Sequence, residues 1–202
     1  MHTWFTRSNL RRLPLLLVPL SIPFIAAAAG QPAAAPAASA DYAHQPNHNL
    51  TLSERVKRAT SQFLNFNDAV DPNFGGYNLS TPCVSGPDFG AMGIHVINQK
   101  ILDKAQLNAE YPTALIYEPQ ANGYKRLVGV EFIVRDADWQ KAHPQGPAQP
   151  DLEGNLLNFV PKGNRFGLPD FWEIHVWAWE DNPVGVFADW NTRVTCNKPR
   201  TN

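Results

Sequence analysis

Residues 171–191 read FWEIHVWAWEDNPVGVFADWN, and this stretch constrains the fold more than any other. It holds Trp172, Trp177, Trp179 and Trp190, four of the six tryptophans of the chain. Its first half alternates with the period of a strand, and Asp181-Asn182-Pro183-Val184-Gly185 is a dense turn signal. Val186 to Trp190 then reads as a returning strand. The spacing predicts a C-terminal β-hairpin with a loop of about five residues. The other notable residues are placed by asking which face of this hairpin they meet.

The opposite end of the chain has a different character. Arg7, Arg11 and Arg12 form a basic region, and Leu13 to Ala29 is apolar and ends in small residues. This is the pattern of a secretory signal peptide over residues 1–29. The apolar run falls short of the roughly 20 residues a membrane span needs, and Pro14, Pro19 and Pro23 interrupt it. The expectation is an exported protein, periplasmic or extracellular, with no membrane span in the mature chain. Residues 30–49 follow as a Pro/Ala-rich linker, too poor in apolar side chains to offset its ordering entropy. Residues 50–202 are long enough for a single globular domain with one hydrophobic core. The leader carries three of the 17 Lys and Arg and none of the 18 Asp and Glu, so the mature chain has 14 against 18, a net charge of −4. That balance offers no electrostatic footprint for nucleic acid or an anionic membrane.

Between these ends, Leu52, Val56, Ala59, Phe63 and Phe66 recur at helical spacing, with Thr51 or Ser53 as the cap, and predict an amphipathic helix over 51–66. Strands are expected at 93–97, 113–118 and 126–134. A long Pro- and Gly-rich excursion from 136 to 167 is suited to act as a lid. The fold class is therefore α+β: one N-terminal amphipathic helix on an antiparallel sheet of about five strands, curled toward a half-barrel. Cys83 and Cys196 are the only cysteines. In an exported protein they are expected to form a disulfide, closing a long loop worth about 4–5 kcal/mol on the chain-entropy model.

Strand alternation divides the polar residues between faces. One face of each strand is apolar and suits the helix. The other carries His95, Glu131, Glu173 and His175 among large hydrophobes such as Trp177, Trp179, Ile97 and Ile133. An apolar face of that kind marks a ligand cleft, a partner interface, or coverage by another segment. His95, His175 and Glu131 supply two imidazoles and a carboxylate, a set that suits Zn, Fe or Cu if the strands converge. Tyr117, Glu118, Trp177 and Trp179 are the candidate lining of a pocket for a small-molecule ligand. The plainest alternative is a packed core in which the histidines are satisfied by backbone or Glu. Gly-rich phosphate loops, the GxSxG elbow and a free Cys–His pair are absent from the sequence.

Met92-Gly93-Ile94-His95-Val96, Pro112 to Pro119, Leu127-Val128-Gly129-Val130-Glu131, and His175-Val176-Trp177 with Asn182-Pro183, Gly185, Phe187, Asp189-Trp190-Asn191 and Cys196 resemble a family of secreted bacterial proteins of unknown function. The resemblance covers about residues 65–196. It implies export and a shared C-terminal pattern, and it brings no activity with it. The expectation is thus an exported domain that binds a small ligand on its Trp/His/Glu face. The alternatives are a mononuclear metal-dependent hydrolase or oxygenase, and an envelope protein-interaction module. The oligomeric state is left open.

Overall fold

The computed structural model describes residues 50–197. The expected signal peptide and linker lie outside the described residues. Nine strands and four α-helices fill the described span. They are β1 (Leu79–Ser80), β2 (Val84–Gly86), β3 (Gly90–Ile97), β4 (Ala114–Pro119), β5 (Lys125–Arg135), β6 (Asp151–Leu152), β7 (Asn155–Leu156), β8 (Asn158–Val160) and β9 (Phe171–Val176), with α1 (Leu52–Thr60), α2 (Phe66–Val70), α3 (Gln99–Leu102) and α4 (Asp136–Ala142). The protein is α+β. Its main sheet is antiparallel, open and not closed into a barrel. It has seven strands in the order β1-β3-β4-β5-β9-β8, and β2 also pairs with β3. No helix among the described residues is long and apolar enough to cross a membrane.

The helix expected over 51–66 forms, but in pieces. Thr51 and Glu54 make a reciprocal capping box that starts α1. A 3-10 turn over Ser61–Phe63 follows, and Asn65 then caps the short α2 through its side chain. The break has a tertiary partner: the Tyr117 hydroxyl donates to the Phe63 carbonyl at 2.6 Å. A carbonyl spent on a buried tyrosine is no longer required to continue the helical ladder. These helical pieces cover one sheet face, where Leu52, Val56, Phe63, Val96, Leu115, Tyr117, Phe132 and Val176 form the main core.

The C-terminal stretch departs further from expectation. Phe171 to Val176 is a strand, as its alternation predicts, but Val186 to Trp190 does not return as one. β9 ends at Val176, short of the residues that a returning strand would pair with. β5 pairs along its full length, and β8 takes the other edge at Glu173, Trp172 and Phe171. The segment after β9 instead turns away, anchored by Trp177 N–H donating to the Val186 carbonyl and the Trp177 indole donating to the Ala188 carbonyl. It comes back across the other end of the sheet, where Asn191 bridges Ala91.

A β-bulge decides where that turn occurs. Ile116 pairs with Gly129 and Tyr117 with Leu127, which leaves Val128 as the extra residue of β5. Val128 accordingly packs with Ala91, Ile116, Trp177 and Val194 and not with Val130, whose face it would share on a regular strand. Its carbonyl accepts from both Trp179 N–H and Glu180 N–H, at 3.1 and 3.0 Å. That capture ends β9 and swings Trp179 to the helix side, where its indole donates to Thr60 Oγ1 at 3.0 Å. Strand alternation places Trp179 beside Trp177, and the bulge carbonyl overrides it.

The excursion 136–167 is structured. α4 buries Trp139 in the main core, β6 and β7 form a small hairpin, and β8 joins the sheet. Cys83 and Cys196 form the expected disulfide, with Cα atoms 5.7 Å apart and 113 residues between them in sequence.

Candidate metal centre

On the face away from α1 and α2, two apolar clusters stand apart. Ala91, Ile116, Val128, Trp177 and Val194 form one, and Leu102, Ala114, Ile133 and Phe171 the other. His95, Glu131, Glu173 and His175 occupy this same face and are all buried. Their positions follow from register: Glu131 of β5 is the direct partner of His175 of β9, and His95 of β3 opposes Ile116 of β4. Between β3 and β9 lie three strand spacings, about 14 Å on a flat sheet. Yet His95 Nε2 and His175 Nε2 are 3.4 Å apart. The sheet must therefore curve with this face concave, as the expectation of curling toward a half-barrel requires.

The three atoms that matter are close together. His95 Nε2 lies 3.4 Å from His175 Nε2 and 3.4 Å from Glu131 Oε2, and all three ligand atoms fall within 4.8 Å of one another. Behind His175, Nδ1 faces Glu173 Oε2 at 3.0 Å and Asp189 Oδ1 at 3.8 Å. Asn158 Nδ2 in turn donates to Glu173 Oε1 and reaches Asp189 Oδ1. A carboxylate on the far nitrogen fixes the ring's tautomer and aims Nε2 at the triad, which is how histidines are oriented behind metal sites. Glu173, His175 and Asp189 are also mutually close, but Glu173 is already committed to the imidazole N–H.

Burial sets the charges. His95 is pushed down to about 3 by burial and by the neighbouring His175, against a small contribution from the Gly93 backbone, so its ring is neutral near pH 7. Its Nδ1 is buried and makes no hydrogen bond of good geometry. For His175, burial pulls downward, but the Glu131 charge, the Glu173 hydrogen bond and the charges of Glu173 and Asp189 together carry it up to about 9. Burial holds the Glu131 carboxyl well above the usual range; His175 pulls it down, and Glu173 and Asp189 add to the rise. Asp189 is raised as well, by burial first and then by Glu173. Without an ion, the His175 proton on Nε2 would point at the neutral His95 ring, in the place a cation would take.

The triad opens onto a cavity of about 330 Å³. Met92, Val160, Phe166, Phe171 and Trp190 line it, together with Asn164, Arg165, Glu173 and Asp189. Its roof is the loop 161–168 and the segment that carries Asp189 and Trp190. Asn164 folds that loop by donating to two carbonyls, Pro161 and Leu168, and accepting from the N–H groups of Phe166 and Leu168. Gly90 permits the other half of the roof. It has φ of +82°, and a Cβ there would fall 2.1 Å from the Asn191 carbonyl oxygen, so only glycine lets residue 191 lie against β3.

Of the residues singled out in the sequence, the structure brings His95, Glu131 and His175 together. It does not bring the expected ligand-lining set to this cavity. Tyr117 is fully buried beneath the helices, with Phe66 edge-on at 5.0 Å. Trp179 is on that side too. Glu118 is held elsewhere by Arg126 and by the Thr195 N–H. Trp177 shares the face of the triad and lies near-parallel to His175 with ring centres 6.0 Å apart, but it packs in an apolar cluster and not on the cavity wall. The cavity's aromatic residues are Phe166, Phe171 and Trp190.

Fold and site together define a class: an open antiparallel α+β sheet with a buried His₂–carboxylate triad on its concave face. Compared with family models, curated proteins and solved structures, the chain matches none of them.

Proposed function

We propose that the domain holds a single zinc-type cation on His95, His175 and Glu131, and presents it to a small molecule in the adjoining cavity. The spacing of the ligand atoms carries this reading. At the usual zinc–ligand distance of about 2.0–2.1 Å a tetrahedron has edges of about 3.3–3.4 Å, whereas an octahedron of that radius has edges of about 2.8–3.0 Å. Two edges of the triad measure 3.4 Å. His95 Nε2 thus stands one tetrahedral edge from each of the other two ligand atoms, and all three fall within 4.8 Å of one another. A water on such an ion would ionise near neutral pH and become a nucleophile, which supports hydrolytic or hydration chemistry. The Glu173–His175 bond supports it independently, as the outer partner of a ligating histidine.

The roof over this face supports a small-molecule site over a flat protein-interaction surface. Export is part of the same proposal, supported by the N-terminal sequence pattern and by the disulfide.

The test is metal content, by elemental mass spectrometry, of mature protein recovered from its export compartment, with H95A and H175A variants beside it. Wild-type protein is expected to carry close to one equivalent, and each variant to lose most of it. Wild-type protein that takes up no zinc even when it is supplied, with variants that are merely less stable, would assign the histidines to the core and end the metal reading.

A further inference from the structure

The cavity walls contain a cation that the folded chain does not use. Arg165 sits at the rim, exposed, with its guanidinium 5.5 Å from the Trp190 ring centre. It has no carboxylate partner among the described residues. The other arginines around the sheet are committed: Arg55 to Glu153, Arg126 to Glu118 and Glu180, Arg135 to Asp103 and Asp138, Arg193 to Asp181. Nor is Arg165 on a loose strand of chain. It lies between Asn164, which makes the four hydrogen bonds that fold the loop, and Phe166, whose ring meets the His95 ring at 6.3 Å. Stacking against Trp190 restricts the guanidinium without neutralising it.

We propose that the ligand of this centre carries a carboxylate on a small apolar body, and that Arg165 holds the carboxylate. This rests on the metal reading above. The buried triad and the exposed Arg165 line the same cavity. The apolar part of the wall is Met92, Val160, Phe166, Phe171 and Trp190. A guanidinium offers a planar two-pronged donor that fits a carboxylate, and an apolar lining favours a body of the same kind. The two cavity acids outside the triad do not compete for this role. Glu173 accepts from His175 and Asn158, and Asp189 lies against the same two groups, so both are drawn to the His175 side. A volume of about 330 Å³ sits at the low end of ligand pockets, which suits one ring or a short chain.

The experiment uses the mature protein loaded with cobalt(II), whose visible absorption reports on the ion, and benzoate as the probe with benzamide as its neutral counterpart. Cobalt uptake is measured first, for wild type, R165Q and R165K. All three are expected to take up one equivalent, because Arg165 is not a ligand. Benzoate is then titrated by calorimetry and by the cobalt spectrum. Wild type is expected to bind benzoate about tenfold or more tighter than benzamide. R165Q should lose that margin with benzamide affinity unchanged, and R165K should restore part of it. Equal benzoate affinity in wild type and R165Q, or no benzoate binding to cobalt-loaded protein, would overturn the assignment of Arg165 and leave the metal centre standing. Failure of wild type to take up cobalt would instead remove the metal centre, and this inference with it.

Discussion

His95 and His175 face each other at 3.4 Å and are driven in opposite directions. That opposition makes the pH dependence of the ion-free protein specific. His175 rises from 6.5 unfolded to about 9 folded, and Glu131 rises from 4.5. Between the unfolded and folded values the native state binds the extra proton, so stability falls as pH increases through that window. His95 falls from 6.5 to about 3, so below 6.5 the unfolded state binds the extra proton and stability falls on acidification. From 4.5 to 6.5 the Glu131 and His95 contributions oppose each other. Ion-free protein is therefore expected to be most stable in mild acid, and to lose stability steadily from about pH 6.5 to 9. Zinc-loaded protein should lose most of that slope, because above about pH 6.5 neither the ion-bound ligands nor the unfolded chain holds the extra proton. Urea denaturation at half-unit pH steps, with and without zinc, checks both slopes. Parallel curves would contradict the shared use of these groups by proton and ion.

At the scale of elements, two backbone irregularities place the site. The bulge at Val128 ends β9 and frees the following segment to cross the sheet, and Gly90 lets that segment settle against β3. G90A is expected to cost about 1–3 kcal/mol from the positive φ alone. The clash with the Asn191 carbonyl comes on top of that. Gly123 is a control, since it has φ of +84° and nothing within 4 Å of a Cβ. G123A should show only the backbone cost. The excess in G90A, measured by chemical denaturation, reports the roof contact, and faster amide exchange at Ala91 and Asn191 should accompany it. These irregularities also mark the limit of what the sequence made legible. Alternation assigns His95, Glu131 and His175 to one face, because a period of two survives wherever a strand is regular. It misplaces Val128 and Trp179, because one inserted residue inverts every face beyond it. The returning strand fails with it: the Val128 carbonyl takes the Trp179 and Glu180 N–H groups, and β9 stops at Val176 before a hairpin can form.

At the scale of the molecule, the disulfide closes the end of the chain onto the segment after the helices, and the roof residue Asn191 lies five positions from Cys196. A C83A/C196A double variant is expected to lose about 4–5 kcal/mol on the chain-entropy model. It should also lose zinc affinity, since Asp189 and Trp190 belong to the segment that it frees. Thermal unfolding and zinc titration of the double variant check the two effects together, and unchanged zinc affinity would show that the roof is held by its hydrogen bonds alone. By itself the sequence determined the class of the fold, the disulfide and the face of the triad. Each of these depends on residue type and local period, which are written along the chain. The cavity, its lining and the coupling of Asp189 to His175 were decided by tertiary structure. They depend on sheet curvature, on a bulge one residue long and on where β9 stops. Such choices are settled by packing between residues distant in sequence, and local pattern carries no record of them.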